Sequence, residues 1–185
     1  MQNDMHITTN DGFTLKIRKL TRADSANLQM FDSGLSRESH RKFFPHRYDG
    51  ETLAKLLKRS ENGDDLVLGA FNNTQLVGYF FLWYFTEDVP LLGIGITDQF
   101  QHRGLGQQMM TTLIEKAKNT GKKGIDLTTL QDNDAAFSLY KKMGFKYYGN
   151  VANRSGDGTI IIERAMFYEI IPGAKPPDRP HGAPA

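Results

Sequence analysis

The chain has 185 residues, 39% of them hydrophobic, which is long enough for one substantial core and too short for two comfortable domains. Its 23 lysines and arginines nearly balance 21 acidic residues, so the formal charge of +2 gives no strong electrostatic reason to expect a nucleic-acid or membrane partner. Cysteine is absent, which excludes disulfides, thiolate metal ligands and a cysteine nucleophile.

The N-terminal third predicts one strand followed by helices. Residues 13–20 alternate apolar with polar side chains, the period-2 pattern of a half-buried strand. Thr21 and Asp24 resemble a helix-start box, and apolar residues then recur at helical spacing up to Leu35. Residues 49–61 place leucines on one face and basic residues on the other, which predicts a further helix.

The central part of the chain is rich in β-forming residues. Residues 66–71 and 75–85 are two such runs, and the turn cluster at residues 72–74 separates them, which predicts an antiparallel hairpin. The second run contains the aromatic segment of residues 79–85. Alternation along a strand would bury about half of these side chains in the core and leave the others to line a pocket.

The following elements alternate between strand and helix. Residues 90–97 predict a strand, residues 105–118 an amphipathic helix and residues 125–130 another strand, an order typical of a βαβ unit with a parallel pair. Residues 133–143 then predict a helix that ends at Gly144.

Two closing strands, at about residues 146–151 and 159–170, end a single domain that we place at residues 1–171. Residues 172–185 contain five of the seven prolines and almost no large apolar side chains. They cannot bury enough surface to offset the entropy of ordering, so we expect a flexible, proline-rich tail.

The most informative segment is residues 94–106, where an apolar strand leads into a glycine-containing loop and then a helix. Free amides of the first helical turn and the helix dipole favour an anion, and Gly104 and Gly106 allow a ligand close to the backbone. Arg103 adds positive charge. The third glycine of a dinucleotide fingerprint and the Gly-Lys-Ser/Thr ending of a P-loop are both missing. Glycines that only turn the chain are the structural alternative.

A second segment, residues 130–145, lies at a fitting distance downstream, and together the two segments resemble the GNAT superfamily of acyl-CoA-dependent N-acetyltransferases. Residues 101–106, Gln-His-Arg-Gly-Leu-Gly, are similar to its Gln/Arg-x-x-Gly-x-Gly/Ala pyrophosphate loop. Its second signature has an Asn, an Ala and a Leu-Tyr pair before Gly-Phe. The matching residues are Asn133, Ala136, Leu139, Tyr140, Gly144 and Phe145.

The resemblance implies an α/β fold of the α+β kind, with a mixed, mostly antiparallel sheet of six to seven strands, a splayed central parallel pair and flanking helices. The splayed strands would hold the pantetheine arm of acetyl-CoA, bonded by the backbone of Ile96 and Thr97, and the loop amides would hold the pyrophosphate. Lys141 or Lys142 would reach the 3′-phosphate, unless both are simply solubilising. The binding residues implied are Ile96, Thr97, Gln101, His102, Arg103, Gly104, Leu105, Gly106, Gln107, Asn133 and Ala136.

Acetyl transfer to an amine needs a general base and a general acid, because an ammonium cannot attack and a thiolate leaves more readily when protonated. Tyr140 matches the family's general acid, and the alternative is a tyrosine of the core. Family members often carry a glutamate early in the relevant strand, where this sequence has Leu91 and Leu92. Glu87 and Asp88 are the nearest carboxylates, with plain turn residues, a water chain or a low-pKa amine as alternatives.

The expected function is transfer of the acetyl group of acetyl-CoA to a primary amine of an unidentified small molecule or protein, by direct attack in a ternary complex. The missing glutamate leaves a catalytically weak CoA-binding sensor or interaction domain as the alternative. Polyamines, aminoglycosides, amino acids and protein amines all stay open as acceptors, because the motifs concern the donor alone.

The expected partners are acetyl-CoA and the amine, with no nucleic acid and no membrane, and a homodimer is compatible with the sequence. The histidines carry little weight: His6 and His181 fall near the ends, His102 lies in the loop, and no pair has metal-ligand spacing, so no metal is expected. Neither a signal sequence nor an apolar run of roughly 20 residues is present. We therefore expect a cytoplasmic protein.

Overall fold

The computed structural model describes residues 5–184, and its elements follow the predicted order. The strands are β1 (Met5–Thr8), β2 (Thr14–Lys19), β3 (Leu66–Asn72), β4 (Gln75–Trp83), β5 (Leu91–Ile96), β6 (Gly124–Leu130), β7 (Lys146–Arg154) and β8 (Ile160–Glu169). The helices are α1 (Ser25–Ser33), α2 (Arg37–Lys42), α3 (Gly50–Asn62), α4 (Leu105–Asn119) and α5 (Asp134–Lys142).

These strands form one sheet in the order β1-β2-β3-β4-β5-β6-β8-β7. Every neighbouring pair is antiparallel except β5 and β6, which are parallel and are paired only at Leu91 opposite Asp126. The predicted mixed, mostly antiparallel sheet with a central parallel pair is confirmed. Beyond that one pair of residues the two central strands separate.

The described residues contain eight strands, where six to seven were expected. The additional strand is β1, which pairs antiparallel with β2 from Met5 opposite Ile17 to Thr8 opposite Thr14. A run of four residues is too short to show a clear period-2 pattern. Such a short strand forms by hydrogen bonding to an existing sheet edge, which its own sequence does not reveal.

Helices cover both faces of the sheet, so the side chains on both faces of β4 are buried. Phe80 and Leu82 belong to the core cluster beside α4, whereas Tyr79, Phe81 and Trp83 belong to the cluster beside α1 and α3. All five side chains are at most 2% exposed. All five are buried because both faces of the strand are covered, more than the half that alternation predicts. Phe81 and Trp83, on one face, also line the cavity described below, in keeping with the expected pocket.

Helix α4 packs along the sheet as its apolar spacing predicts. Met109, Leu113 and Ala117 are fully buried in the core cluster that also contains residues of β4, β5, β6 and β8. This packing places the first turn of α4 beside the ends of β5 and β6. No helix within residues 5–184 is both long enough and apolar enough to cross a membrane.

Residues 172–184, which we call the proline-rich segment, contact the sheet through polar groups. Arg179 pairs with Glu87 at 2.8 Å, and its guanidinium also donates to the Val89 carbonyl at 2.7 Å. Composition indicates how much apolar surface a segment can bury, and it does not reveal polar contacts of this kind. The flexibility predicted for residues 172–185 stays a prediction, as does the domain boundary at residue 171.

Candidate active site

The separation of β5 from β6 opens a cleft at the centre of the sheet. Leu91 opposite Asp126 closes one end, and the strands diverge towards Ile96 and Leu130. The cavity has a volume of about 630 Å³ and is lined from both core faces, by α4 and α5 on one side and by α2 with part of the β7–β8 hairpin on the other. Two ligands that approach from opposite faces could therefore meet in it.

The loop that enters α4 presents a row of free amides at the open end of this cleft. The N–H groups of residues 102–107 have no hydrogen-bond acceptor within residues 5–184, and the first helical bond runs from Gln108 to the Gly104 carbonyl at 3.4 Å. Left-handed backbone at His102 (φ +60°) and Gly104 (φ +79°) turns the strand sharply into the helix. Free amides and the helix dipole together favour a bound anion.

The two glycines of this loop keep side chains away for different reasons. Gly104 has left-handed backbone, and a β-carbon there would lie 2.6 Å from Oδ1 of Asn10. A β-carbon on Gly106 would lie 3.2 Å from Leu139 and 3.8 Å from Ile96, which line opposite sides of the cleft. A larger side chain at Gly106 would therefore occupy the cleft itself.

Arg103 does not direct its side chain into the cleft. Its guanidinium pairs with Asp11 at 2.6 Å and lies 5.3 Å and 5.1 Å from the ring centroids of Phe13 and Phe100. The expectation that its charge adds to the anion site does not fit this geometry, because the guanidinium is held against the N-terminal part of the chain. Only the backbone amide of Arg103 remains with the others of the loop.

Alternate residues of β5 direct their backbone N–H and C=O groups towards the cleft. The Thr97 amide donates to the Val77 carbonyl at 2.9 Å, so it faces β4 and does not fit the predicted bond to a ligand in the cleft. Alternation along an antiparallel pair then directs the backbone groups of Ile94 and Ile96 towards the cleft. The Ile96 carbonyl already accepts a bond from Nε2 of Gln101 at 2.9 Å.

Helix α5 forms the opposite wall. Asn133 caps its start, with Oδ1 accepting from the Ala136 amide at 3.4 Å, and both residues line the cleft. Tyr140, one turn further, also lines it, and its hydroxyl has no hydrogen-bond partner in the described chain. Burial raises the pKa of Tyr140 to about 12, and the negative charge of Glu163 acts in the same direction. At neutral pH this hydroxyl therefore keeps its proton.

The lysines at the end of α5 differ in position. The Lys142 ammonium lies 3.4 Å from Oε1 of Gln107, beside the first turn of α4, whereas Lys141 lies over the ring of Phe137 at 5.7 Å. Lys142 is therefore the lysine that is close to the anion loop.

Most of the predicted site residues meet at the cleft. Those that line it are Ile96, Gln101, His102, Gly104, Leu105, Gly106, Gln107, Asn133, Ala136 and Tyr140. Thr97 and the Arg103 side chain do not.

Neither carboxylate suggested as a base lies in the cleft. Glu87 pairs with Arg179, and Asp88 pairs with Lys123 at 2.7 Å, on the loop between β4 and β5. The structure supports their reading as turn residues.

The polar residues that line the cleft include Trp83, Glu163 and His181. Trp83 belongs to the aromatic run of residues 79–85, part of which was expected to line a pocket, whereas His181 was given little weight and Glu163 was not considered. Glu163 accepts a bond from Nδ2 of Asn153 at 2.7 Å, and the buried indole N–H of Trp83 has no partner in the described chain. No local motif marks any of them, because they come from three distant parts of the chain.

Helix α2 also reaches the cleft, through basic side chains. Arg41 and Lys42 line it, and Arg41 pairs with Asp132 at 3.0 Å, which joins α2 to the loop before α5. Within residues 5–184 no three His, Asp or Glu side chains are grouped as metal ligands would be. The expected absence of a metal stays a prediction.

Comparisons with known sequences show the family to which this chain belongs. The model of the acetyltransferase (GNAT) family matches residues 34–145. The spermidine N(1)-acetyltransferase of Thermoplasma acidophilum is 35% identical over 104 residues, which are 54% of this chain and 63% of that protein. The ribosomal protein bS18 alanine N-acetyltransferase of Salmonella typhimurium is 31% identical over 78 residues, 42% of this chain and 47% of that protein. The matches thus span less than two thirds of these relatives' own length.

Solved structures show the same fold. The PaiA N-acetyltransferase of Thermoplasma acidophilum, in complex with coenzyme A, superimposes with a TM-score of 0.67 at 22% identity, over 84% of this chain and 98% of that one. The GNAT domain of S. lividans PAT superimposes with a TM-score of 0.73 at 18% identity, over 90% of this chain and 97% of that one. At these identities the likeness concerns the fold alone.

Proposed function

Because this chain belongs to the GNAT family of acetyltransferases, we propose that it transfers the acetyl group of acetyl-CoA to a primary amine by direct attack in a ternary complex. The observation that carries the proposal is the cleft between β5 and β6, which opens to both faces of the sheet and has free amides at one end. Direct transfer needs donor and acceptor held together in one such space.

On the donor side, the pyrophosphate is assigned to the amides of residues 102–107. The pantetheine arm would follow the free backbone edge of β5 at Ile94 and Ile96, with Asn133 and Ala136 on the opposite wall. Lys142 lies where a further phosphate would be near the start of α4. These roles agree with the resemblance, except that Thr97 and the Arg103 side chain are no longer included.

Tyr140 is assigned the role of general acid. Its raised pKa keeps the hydroxyl protonated at neutral pH, and the hydroxyl has no protein partner that would compete for the proton. A developing thiolate at this wall of the cleft could take that proton as the carbon–sulfur bond breaks.

The acceptor is a primary amine of a small molecule or of a protein. The named relatives include a spermidine acetyltransferase and an alanine acetyltransferase of a ribosomal protein, so both classes belong in the test. The acceptor side of the cleft combines aromatic side chains, such as Phe81 and Trp83, with the carboxylate of Glu163. That combination suits a cation with an apolar body.

The test is a panel of amines assayed for release of free thiol from acetyl-CoA. The protein has no cysteine, so it adds no thiol background of its own. The panel contains spermidine, an aminoglycoside, free amino acids, and peptides with an N-terminal alanine or an internal lysine. We expect at least one amine to raise thiol release well above the amine-free rate, with an acetylated product found by mass spectrometry.

A CoA-binding sensor of the same fold is the second candidate, favoured by the apolar Leu91 and Leu92 at the start of β5. It predicts that acetyl-CoA binds and that no amine raises thiol release. Failure of acetyl-CoA to bind would overturn both candidates.

A further inference from the structure

The cleft needs a group that takes a proton from the acceptor ammonium, and its carboxylates near α2 are poor candidates. Glu38 is paired with Arg41 and Lys42, which lower its pKa to about 2. Asp98 accepts bonds from Ser36 and Ser39, and these lower its pKa. A carboxylate so stabilised in its charged form is a weak base.

His181 of the proline-rich segment is held in a different way. Its Nδ1 lies 2.9 Å from Oδ2 of Asp126, and the two side chains are 13% and 1% exposed. The other oxygen of Asp126 accepts from the Tyr148 hydroxyl at 2.8 Å. An ionised carboxylate only accepts, so Nδ1 carries the hydrogen and Nε2 is the basic nitrogen. Nε2 has no partner within residues 5–184.

The position of this pair is at the closed end of the cleft. Asp126 lies opposite Leu91, where β5 and β6 still meet, and Leu91 lies opposite Trp83 of β4. His181, Leu91 and Trp83 all line the cleft there. A donor whose pyrophosphate is held near Ile96 and whose arm follows β5 would bring its acyl end towards this place.

Several contacts fix the segment that carries His181. Besides the bonds of Arg179 to Glu87 and Val89, the Tyr84 hydroxyl donates to the Gly182 carbonyl at 3.1 Å. Nδ2 of Asn153 donates to the His181 carbonyl at 3.3 Å. The imidazole is thus held from the β4–β5 loop, from β6 and from β7, on the sheet face opposite to α5.

We propose that His181 is the general base of this enzyme, and that Asp126 is the positioning residue that fixes its ring and tautomer. The inference rests on the proposed function. It places base and acid on opposite faces of the sheet, with His181 on the acceptor side and Tyr140 on the donor side.

Acetyl transfer removes two protons from the nitrogen of the acceptor ammonium. Nε2 of His181 takes one proton from the acceptor ammonium, and the freed electron pair forms the carbon–nitrogen bond. The carbon–sulfur bond breaks with its pair on sulfur, which takes the proton of Tyr140. The second proton lost by the nitrogen restores Tyr140, and His181 releases its proton to solvent. The products are a neutral amide, a free thiol and one proton.

Titratable and charged groups from several elements surround His181. Asp126 lies on β6, Tyr148 on β7, Glu163 on β8, Tyr84 on the β4–β5 loop, and Arg179 on its own segment. A protonated imidazole cannot act as a base, so the proposal requires the neutral form of His181.

The test compares His181→Gln with Glu163→Gln, which removes the rival carboxylate, and with the matched control Asp178→Asn. Asp178 lies in the same segment, is exposed and does not line the cleft. Each variant is assayed with an alkylamine acceptor from the panel and with a fluorinated analogue that is neutral at the assay pH. Melting temperature and acetyl-CoA affinity report on fold and donor binding.

We expect His181→Gln to lower kcat/KM for the alkylamine by about 100-fold or more, and to affect the neutral analogue much less. A merely structural role would lower both equally. Added imidazole should restore part of the lost rate. Asp126→Asn should give a smaller loss of the same kind, and Asp178→Asn none.

The inference is overturned if His181→Gln keeps the wild-type rate with the alkylamine, or if Glu163→Gln alone shows the amine-dependent loss. His181→Asn is the second variant if the glutamine variant does not fold, and the same loss with the alkylamine is expected from it. A wild-type protein without any turnover would instead refute the proposed function.

Discussion

Tyr140 combines a packed ring with a hydroxyl to which we assign the role of general acid. Its ring packs near Phe145, with centroids 6.1 Å apart, while its hydroxyl has no partner in the described chain and its pKa is raised by burial. A tyrosine used only for packing would lose little when the hydroxyl is removed. A tyrosine that protonates the departing thiolate would lose its function.

Tyr140→Phe is therefore expected to lower turnover by roughly 10²- to 10⁴-fold while acetyl-CoA affinity and melting temperature change little. Steady-state kinetics, with Kd for acetyl-CoA measured separately, checks this. Tyr168→Phe is the matched control, because it removes a hydroxyl from the same aromatic cluster without touching the cleft. Near-normal turnover in Tyr140→Phe would assign this residue to the core alone.

At the scale of elements, the loop and first turn of α4 form one unit with β5 and α5. The position of Gly106 between Ile96 and Leu139 means that the space for a ligand is set by the packing of a helix against two other elements. The nearest atom that a β-carbon would meet belongs to a flexible leucine side chain, so the fold can adjust to a larger residue. The added side chain would still fill the space that the ligand needs.

Gly106→Val is expected to raise the Kd for acetyl-CoA by at least 100-fold, while the melting temperature of the free protein changes by only a few degrees. Isothermal titration measures the affinity. Gly50→Val is the control, since Gly50 begins α3, has open space at its β-carbon position and lies away from the cleft. Unchanged affinity in a folded Gly106→Val protein would remove the pyrophosphate from this loop.

At the scale of the whole molecule, the sheet consists of two parts that meet at one pair of residues. Strands β1 to β5 lie on one side and β6, β8 and β7 on the other, and β5 and β6 pair only at Leu91 and Asp126. The contacts that cross elsewhere include α4, the ion pair of Arg41 with Asp132 and the proline-rich segment. A ligand in the cleft would add contacts between the two parts.

Acetyl-CoA at about 100 times its Kd is expected to stabilise the folded protein by about 3 kcal/mol, which raises the melting temperature by roughly 5 to 10 °C. Desulfo-CoA should act similarly, because it shares the pyrophosphate and most of the arm. Differential scanning fluorimetry with NAD and ATP as control ligands checks the specificity. A shift with NAD or ATP but none with either CoA compound would contradict the donor assignment.

The order of elements and the glycine loop before α4 could be predicted because both depend on short stretches of chain. Period-2 and helical spacing concern neighbours a few residues apart, and the glycine loop and the Asn-to-Phe signature are each contained in one segment. The four-residue strand β1 was not predicted, because an edge strand is defined by the strand with which it pairs and shows little alternation of its own.

What the sequence by itself determined was the class of fold, its central parallel pair and the family to which residues 34–145 belong. Only the tertiary structure decided which side chains reach the cleft. Arg103 turns away to Asp11, 92 residues earlier, and His181 enters beside Asp126, 55 residues earlier. The partner of a side chain depends on the packing of distant elements and on the need to pair buried charge. Neither produces a pattern of local spacing in the sequence.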